Sequence, residues 1–260
     1  MRVIPVNNYQ EMSDLAAELF IQEIKNDPEV VLGLATGGTP EATYRSLIQK
    51  SQDLDLSRIH TFNLDEYEGL SPSHPNSYHR YMAERLFEPL QLKASQTHLP
   101  RGDAADLENE AERYEQLIQE KGGVDVQLLG IGENGHIGFN EPGTSFTSRT
   151  HIVDLNPSTR EANARYFEKK ENVPNRAITM GIASIMDSRR IILLASGERK
   201  KQAMAKLLNE EKTQDFPASI LQDHPYVTII ADEPALSAVS FEKGEPAAEY
   251  MADQREWELR

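Results

Sequence analysis

Short apolar runs alternate along this chain with stretches that carry apolar residues at helical spacing. Residues 10–25 set Met12, Leu15, Leu19 and Phe20 on one helical face, and Val30-Val-Leu-Gly-Leu34 then reads as a buried strand. A second helix is expected from Pro40, with Thr39 as its N-cap and Tyr44, Leu47 and Ile48 as its apolar face. A strand at 59–64 and a helix from about Ser77 to Phe87 follow. The helix from Asp103 to Gly122 is the plainest: Asp103 caps its start, Leu107, Ala111, Tyr114, Leu117 and Ile118 form its stripe, and Gly122 ends it. Further strands are expected at 124–129, 150–155, 177–180, 191–195 and 227–231, with helices at 157–169 and 198–209. Buried strands alternating with amphipathic helices predict an α/β fold, a mostly parallel open sheet with helices on both faces, Rossmann-like in plan.

No internal repeat, linker or low-complexity tract interrupts this order, so residues 1–260 are expected to form a single domain. The acidic stretch 242–260 reads as a solvated segment or a final surface helix and carries no recognisable chemistry.

Charge narrows the functional classes. The formal net charge is −15, a long-range field that repels nucleic acid and anionic membrane. An anionic ligand therefore needs a concentrated set of donors at one place. There are no cysteines, which removes disulfides, thiolate nucleophiles and cysteine-based zinc sites. No apolar run approaches the roughly 20 residues that span a bilayer, and Met-Arg-Val-Ile-Pro-Val-Asn-Asn lacks the apolar core of an export signal, so a cytoplasmic location is expected.

Three segments carry candidate chemistry. In Leu34-Ala-Thr-Gly-Gly-Thr-Pro40 a strand end meets a glycine turn and a helix start, where unpaired backbone N–H groups at Gly37 and Gly38 and the hydroxyls of Thr36 and Thr39 resemble a phosphate cradle. The Gly-Lys-Ser/Thr ending of a nucleotide loop is absent. The other reading is a plain turn with a threonine cap. In Phe62-Asn-Leu-Asp-Glu-Tyr67 a strand runs into paired acids; a carboxylate poorly placed for solvation has a raised pKa and can serve as a base, or the acids cap the next loop. His74 and His79 lie just beyond without the spacing of a metal site.

Gly130-Ile-Gly-Glu-Asn-Gly-His-Ile-Gly-Phe-Asn-Glu-Pro-Gly143 is the most informative segment. It places His136 and Glu141 in a tight loop beyond a buried strand, where open α/β sheets bind ligands, and imidazole transfers protons near neutral pH. Gly130, Gly132 and Gly135 also spell a dinucleotide fingerprint with Asp154 downstream, but Gly138, Pro142 and Gly143 are poor sequence for the helix that fingerprint requires. Arg165 and Lys200 are the candidate cations; Lys200 stands at a strand-to-helix junction on the ligand edge.

These motifs, with Ser148-Arg-Thr150, occur in the order found in the glucosamine-6-phosphate deaminase family, which the chain resembles from Met1-Arg-Val-Ile-Pro5 to Ala231-Asp-Glu-Pro234. The resemblance implies conversion of glucosamine 6-phosphate and water to fructose 6-phosphate and ammonium, with no metal or organic cofactor. It implies Asp65 as the base that moves a proton from C2 to C1, and His136 as the group that opens the pyranose ring, with Glu141 orienting it and Asn134 beside it. Thr36, Gly37, Gly38, Thr39, Arg165 and Lys200 would hold the 6-phosphate.

Two departures stand out. Asn134 occupies a place where some members carry Asp, and Thr144, His151 and Val153 stand where members activated by N-acetylglucosamine 6-phosphate carry a basic patch, so that activation is expected to be absent. The same fold serves 6-phosphogluconolactonases, which need no carbon base, and sugar-phosphate sensors of transcription regulators, whose helix-turn-helix segment is missing from these 260 residues. Glucosamine and galactosamine 6-phosphate leave no distinguishing mark, and a homo-oligomer is one option for assembly. Residues 155–174 are the candidate for a lid.

Overall fold

The computed structural model describes residues 1–167 and 169–240, with only the backbone of residues 158, 162, 166 and 170; the expected acidic tail at 242–260 lies outside the described residues. In chain order the elements are β1 (Arg2–Val6), α1 (Tyr9–Asn26), β2 (Val31–Leu34), α2 (Glu41–Lys50), β3 (His60–Asn63), β4 (Asp65–Tyr67), α3 (Tyr78–Met82), β5 (Thr97–His98), α4 (Leu107–Glu120) and β6 (Val126–Gly130). There follow β7 (His151–Asp154), α5 (Pro157–Asn163), β8 (Arg176–Thr179), α6 (Ile182–Met186), β9 (Arg190–Ala195), α7 (Lys201–Asn209), β10 (Val227–Asp232) and α8 (Glu233–Leu236).

Seven strands form one parallel sheet in the order β1-β10-β9-β6-β2-β3-β5. From β2 the chain winds outward to β3 and β5, crosses back to β6, then winds the other way through β9 and β10. That is the doubly wound 3-2-1-4-5-6 plan with β1 added at one edge, and its direction reverses between β2 and β6. A ligand crevice is therefore expected beyond the carboxyl ends of those two strands.

Alternation along the strands divides the core. Ile191, Leu193 and Ala195 of β9 and Val227, Ile229 and Ala231 of β10 join Tyr114, Met204, Leu207 and Leu236 on one face. Ile192, Leu194 and Ile230 join Met12, Phe20, Tyr44, Leu47 and Met82 on the other. Both sets are almost wholly removed from water, which is why these strands read as continuous apolar runs. Truncating a side chain such as Phe20 to alanine should cost about 3–5 kcal/mol.

Several local expectations are corrected. β1 carries Pro5 and gave no strand signal; it is tolerated because β1 pairs with β10 alone, leaving one edge that needs no donor. Thr39 does not cap α2: the N-cap is Pro40, which makes no side-chain bond. The cap of α4 is Asp106, accepting from Asn109 N at 3.0 Å, and not Asp103; Gly122 and Gly123, both at positive φ, end the helix as expected. The helix expected at 157–169 stops at Asn163 and tightens into a 3-10 turn over residues 164–166. α3 widens into a π-helical turn over Ala83–Phe87.

The strands expected at 150–155 and 177–180 do not enter the main sheet. They form β7 and β8 of a separate three-stranded antiparallel sheet in which β8 lies in the middle, paired with β4 on one side and β7 on the other. Leu64 is the hinge between the two sheets: its N–H donates to Leu34 O at 3.2 Å and its carbonyl accepts from Met180 N at 2.6 Å. Asp65 thus leaves the large sheet beyond β3, one strand from the reversal point, and starts the small one.

Candidate active site

Four of the segments that leave the carboxyl edge of the parallel sheet matter here: residues 35–40 after β2, Leu64-Asp65 after β3, 131–143 after β6 and 196–200 after β9. Together they hold every site residue named above except Arg165. Contacts between them show how closely they meet. A Cβ placed on Gly138, two residues after His136, would lie 3.5 Å from Asp65 Oδ2 and 3.1 Å from Thr179 Oγ1. Tyr78 lies close enough to both Thr36 of the first loop and Asp65 for each to act on its hydroxyl.

The turn at 36–39 leads into α2, whose own N-cap residue makes no side-chain bond. Gly37 adopts φ +106°, a conformation that glycine alone takes without strain, and Pro40 offers no side-chain acceptor to the first turn of α2. Unpaired N–H groups at such an end carry partial positive charge.

The two acids of Phe62-Asn-Leu-Asp-Glu-Tyr67 sit in different surroundings, and the capping reading applies to Glu66. Glu66 is fully buried and acts as a remote cap: its carboxylate accepts from Tyr67 N at 2.8 Å, Tyr78 N and His79 N at 3.0 Å, and is 2.8 Å from His79 Nδ1. Asp65, 6% exposed, has no such support. Burial, reinforced by the neighbouring Glu66 charge, pushes its carboxyl up to about 8. A carboxyl in that state can take up and give back a proton near neutral pH.

His136 lies over the backbone of its own loop. A Cβ on Gly132 would come within 2.2 Å of His136 Nδ1, so only glycine leaves room for the ring. Asn134 Nδ2 donates to Glu141 Oε2 at 2.7 Å, which turns its Oδ1 toward His136 Nδ1, also at 2.7 Å. An amide oxygen only accepts, so Nδ1 carries the proton and Nε2 is the basic nitrogen. Glu141 lies 3.8 Å from Nδ1, beyond hydrogen-bond reach, and is fixed on its other oxygen by the Thr159 hydroxyl of α5. The carboxylate thus orients the imidazole through Asn134. Burial lowers the His136 pKa, the Glu141 charge opposes that, and Lys200 lowers it further.

Lys200 closes the 3-10 turn Glu198–Lys200 that follows β9. Burial lowers its pKa, Glu133 opposes this, and the charges of Arg199 and Arg165 push it down again, which brings these cations into one neighbourhood. Arg165 is the more exposed of the pair and sits on the 3-10 turn after α5. The Lys200 loop is anchored by Asp232 at the end of β10, which is 4% exposed and accepts from the Ser196 hydroxyl, from Gly197 N at 2.9 Å and from Ala235 N at 3.0 Å. Leu155, Phe167 and Val173, from the segment expected as a lid, pack in one cluster with Tyr67 and Phe139 of the histidine loop's surroundings.

The dinucleotide reading fails on connectivity. No helix begins inside Gly130–Gly135; the next one after β6 is α5, and Asp154 lies in the small sheet. A groove of about 750 Å³ along β1 and α1 holds none of these residues, and its Glu11, Asp14 and Glu18 make it a poor host for an anion. Sequence reasoning missed Asp232, Thr159 and Tyr78. Tyr78 and Thr159 gave no signal beyond membership in expected helices, and Asp232 stood at the end of an expected strand like many acids.

Comparison with known proteins places the chain in a family and matches its fold. Residues 7–229 match the family described as glucosamine-6-phosphate isomerases/6-phosphogluconolactonase. A glucosamine-6-phosphate deaminase from Geobacillus sp. (strain WCH70) is 56% identical over 245 residues, covering 94% of this chain and 98% of that protein. A solved structure described as a monomeric glucosamine-6-phosphate deaminase of the NagB superfamily superposes with a TM-score of 0.90 at 54% identity, covering 92% of this chain and all of that one. The 6-phosphogluconolactonase of Trypanosoma cruzi, with a TM-score of 0.77 at 17% identity over 92% of this chain and 97% of that one, shares the fold. By motif order, sheet topology and similarity over most of its length, the chain belongs to the glucosamine-6-phosphate isomerase/6-phosphogluconolactonase family.

Proposed function

We propose that this protein is a glucosamine-6-phosphate deaminase in which Asp65 and His136 work on one sugar held by its phosphate. The enzyme converts glucosamine 6-phosphate and water to fructose 6-phosphate and ammonium. The observation that carries the assignment of roles is the meeting of Asp65 with the histidine loop at Gly138, beside the turn that bears Thr36.

The phosphate sits at the 36–39 turn, with Lys200 and Arg165 supplying the charge that an acidic protein needs locally. His136 Nε2 takes the proton of the anomeric hydroxyl and returns it to the ring oxygen, which opens the pyranose to the aldehyde. Asn134 and Glu141 keep Nδ1 protonated throughout. Asp65 then removes the C2 proton as a proton of the 2-ammonium group passes to the aldehyde oxygen, giving an enolamine, and delivers its proton to C1. The resulting C2 iminium takes up water and expels ammonium, leaving the ketose. Ring opening transfers a proton between oxygens and needs a near-neutral imidazole. Carbon acid chemistry needs a base of higher pKa, and burial of Asp65 provides it.

The described residues include no helix long and apolar enough to cross a membrane. The substrate is a small sugar phosphate, and a cytoplasmic enzyme acting on phosphorylated amino sugars fits that chemistry. Incubation with glucosamine 6-phosphate should release ammonium and fructose 6-phosphate one for one. Hydrolysis of 6-phosphogluconolactone without ammonium release from the amino sugar would replace this reading with the lactonase activity of the same family.

A further inference from the structure

Three tyrosine hydroxyls from three different helices converge on the carbonyl oxygens of the 35–39 turn. Tyr44 on α2 donates to Ala35 O at 2.5 Å, Tyr81 on α3 donates to Gly37 O at 2.7 Å, and Tyr9 on α1 donates to Gly38 O at 2.9 Å and Thr39 O at 3.0 Å. Tyr9 also accepts from Ala42 N at 3.2 Å, so its hydroxyl hydrogen is directed away from α2 and toward the turn.

In a trans peptide the C=O of one residue and the N–H of the next point in opposite directions. Fixing the carbonyls of Ala35, Gly37 and Gly38 on the phenols therefore turns the N–H groups of Thr36, Gly38 and Thr39 the other way. The Gly37–Gly38 peptide is the weak point. It is flanked by the two residues with the widest conformational freedom, Gly37 already at φ +106°, and a flip of this one peptide would aim a carbonyl oxygen at a bound anion. Tyr81 holds that peptide.

We infer that Tyr9, Tyr44 and Tyr81 are positioning residues for phosphate, a phenol brace that keeps the amides of the 36–39 turn facing the anion. The inference rests on the proposed use of that turn as the phosphate site and adds which groups make it competent. Tyr44 is wholly buried and contributes to the core, so Tyr9 and Tyr81, both only partly buried, are the residues to test.

The experiment compares wild type, Tyr81→Phe, Tyr9→Phe and the surface control Tyr226→Phe by steady-state kinetics with glucosamine 6-phosphate. It adds inhibition by inorganic phosphate alone and by glucosamine alone, with thermal unfolding of each protein. Loss of a neutral hydrogen bond of about 1 kcal/mol corresponds to roughly fivefold in affinity. Tyr81→Phe should raise KM and the phosphate inhibition constant together by about three- to tenfold, with kcat within about twofold and glucosamine inhibition unchanged. A role in packing alone would lower the unfolding temperature without separating phosphate from glucosamine. Unchanged phosphate inhibition in both tyrosine variants, or a loss shared equally by glucosamine, overturns the brace. Wild type insensitive to inorganic phosphate and indifferent to the substrate's phosphate would instead remove the phosphate site, and the brace with it.

Discussion

Replacing Asp65 by asparagine should make the protein more stable and nearly inactive, and the gain in stability should depend on pH in a defined direction. Asp65 is buried beside Glu66 and held at about 8, against about 3.9 for an aspartate in an unfolded chain. A folded pKa above the unfolded one means that the folded state binds the proton more tightly. The advantage is full below about pH 4 and is lost as pH rises toward 8. At about 1.36 kcal/mol per pH unit the ceiling on that loss is about 5–6 kcal/mol, and partial relaxation around the ionised group brings the expected value to about 2–4 kcal/mol. Asparagine keeps the shape and never ionises. Denaturant melts of wild type and Asp65→Asn at pH 5, 7 and 9 should therefore show the variant gaining on wild type through this range and levelling off above about pH 8. The same titration predicts that wild-type kcat/KM climbs with pH through about 8, while the variant loses about 100- to 10,000-fold in kcat, the usual reach of a general base. A stability difference that is flat across pH, or that favours wild type at pH 9, would refute the reasoning.

Other outcomes follow from the same geometry. Asn134→Asp puts a carboxylate against His136 Nδ1, so the imidazole pKa should rise, by about one pH unit when the ring is titrated by NMR. N-acetylglucosamine 6-phosphate should leave KM for the substrate within about twofold, because Thr144 is tied back to Glu141 O and, of Thr144, His151 and Val153, only His151 can carry positive charge. His98 is held at about 4, chiefly by burial and then by His60, Lys121 and Arg113. A histidine with a depressed folded pKa contributes stability above about 6.5 that is lost as pH falls toward 4, so His98→Gln should flatten the acid side of the stability curve by about 1–2 kcal/mol after screening by solvent.

The parallel sheet was legible because β2, β6, β9 and β10 are buried on both faces and so read as mainly apolar runs, interrupted by the buried Gln127 of β6 and Thr228 of β10. β1 was not, because an edge strand with one partner tolerates Pro5 and half-exposed positions. β7 and β8 were found as strands, but apolar pattern records burial and says nothing of which sheet a strand joins. Capping was harder still. Asp103 and Asp106 both precede α4, and which of them caps it depends on where the backbone first turns helical. Glu66 shows the limit most clearly: its partners Tyr78 and His79 lie a loop away, so no local motif could separate its role from that of Asp65. The tyrosines around the 36–39 turn were visible only as helix residues, since a hydroxyl that reaches a distant carbonyl leaves no period in the sequence.

That two side chains far apart in sequence divide the chemistry of one sugar can be read directly by proton NMR of glucosamine 6-phosphate in D2O. The spectra report anomer interconversion and loss of the C2 proton side by side. Asp65→Asn should still accelerate anomer interconversion while the C2 proton persists, and His136→Gln should fail to accelerate interconversion. Loss of the C2 proton at the wild-type rate in Asp65→Asn, or wild-type anomer interconversion in His136→Gln, would contradict the assignment of the two bases.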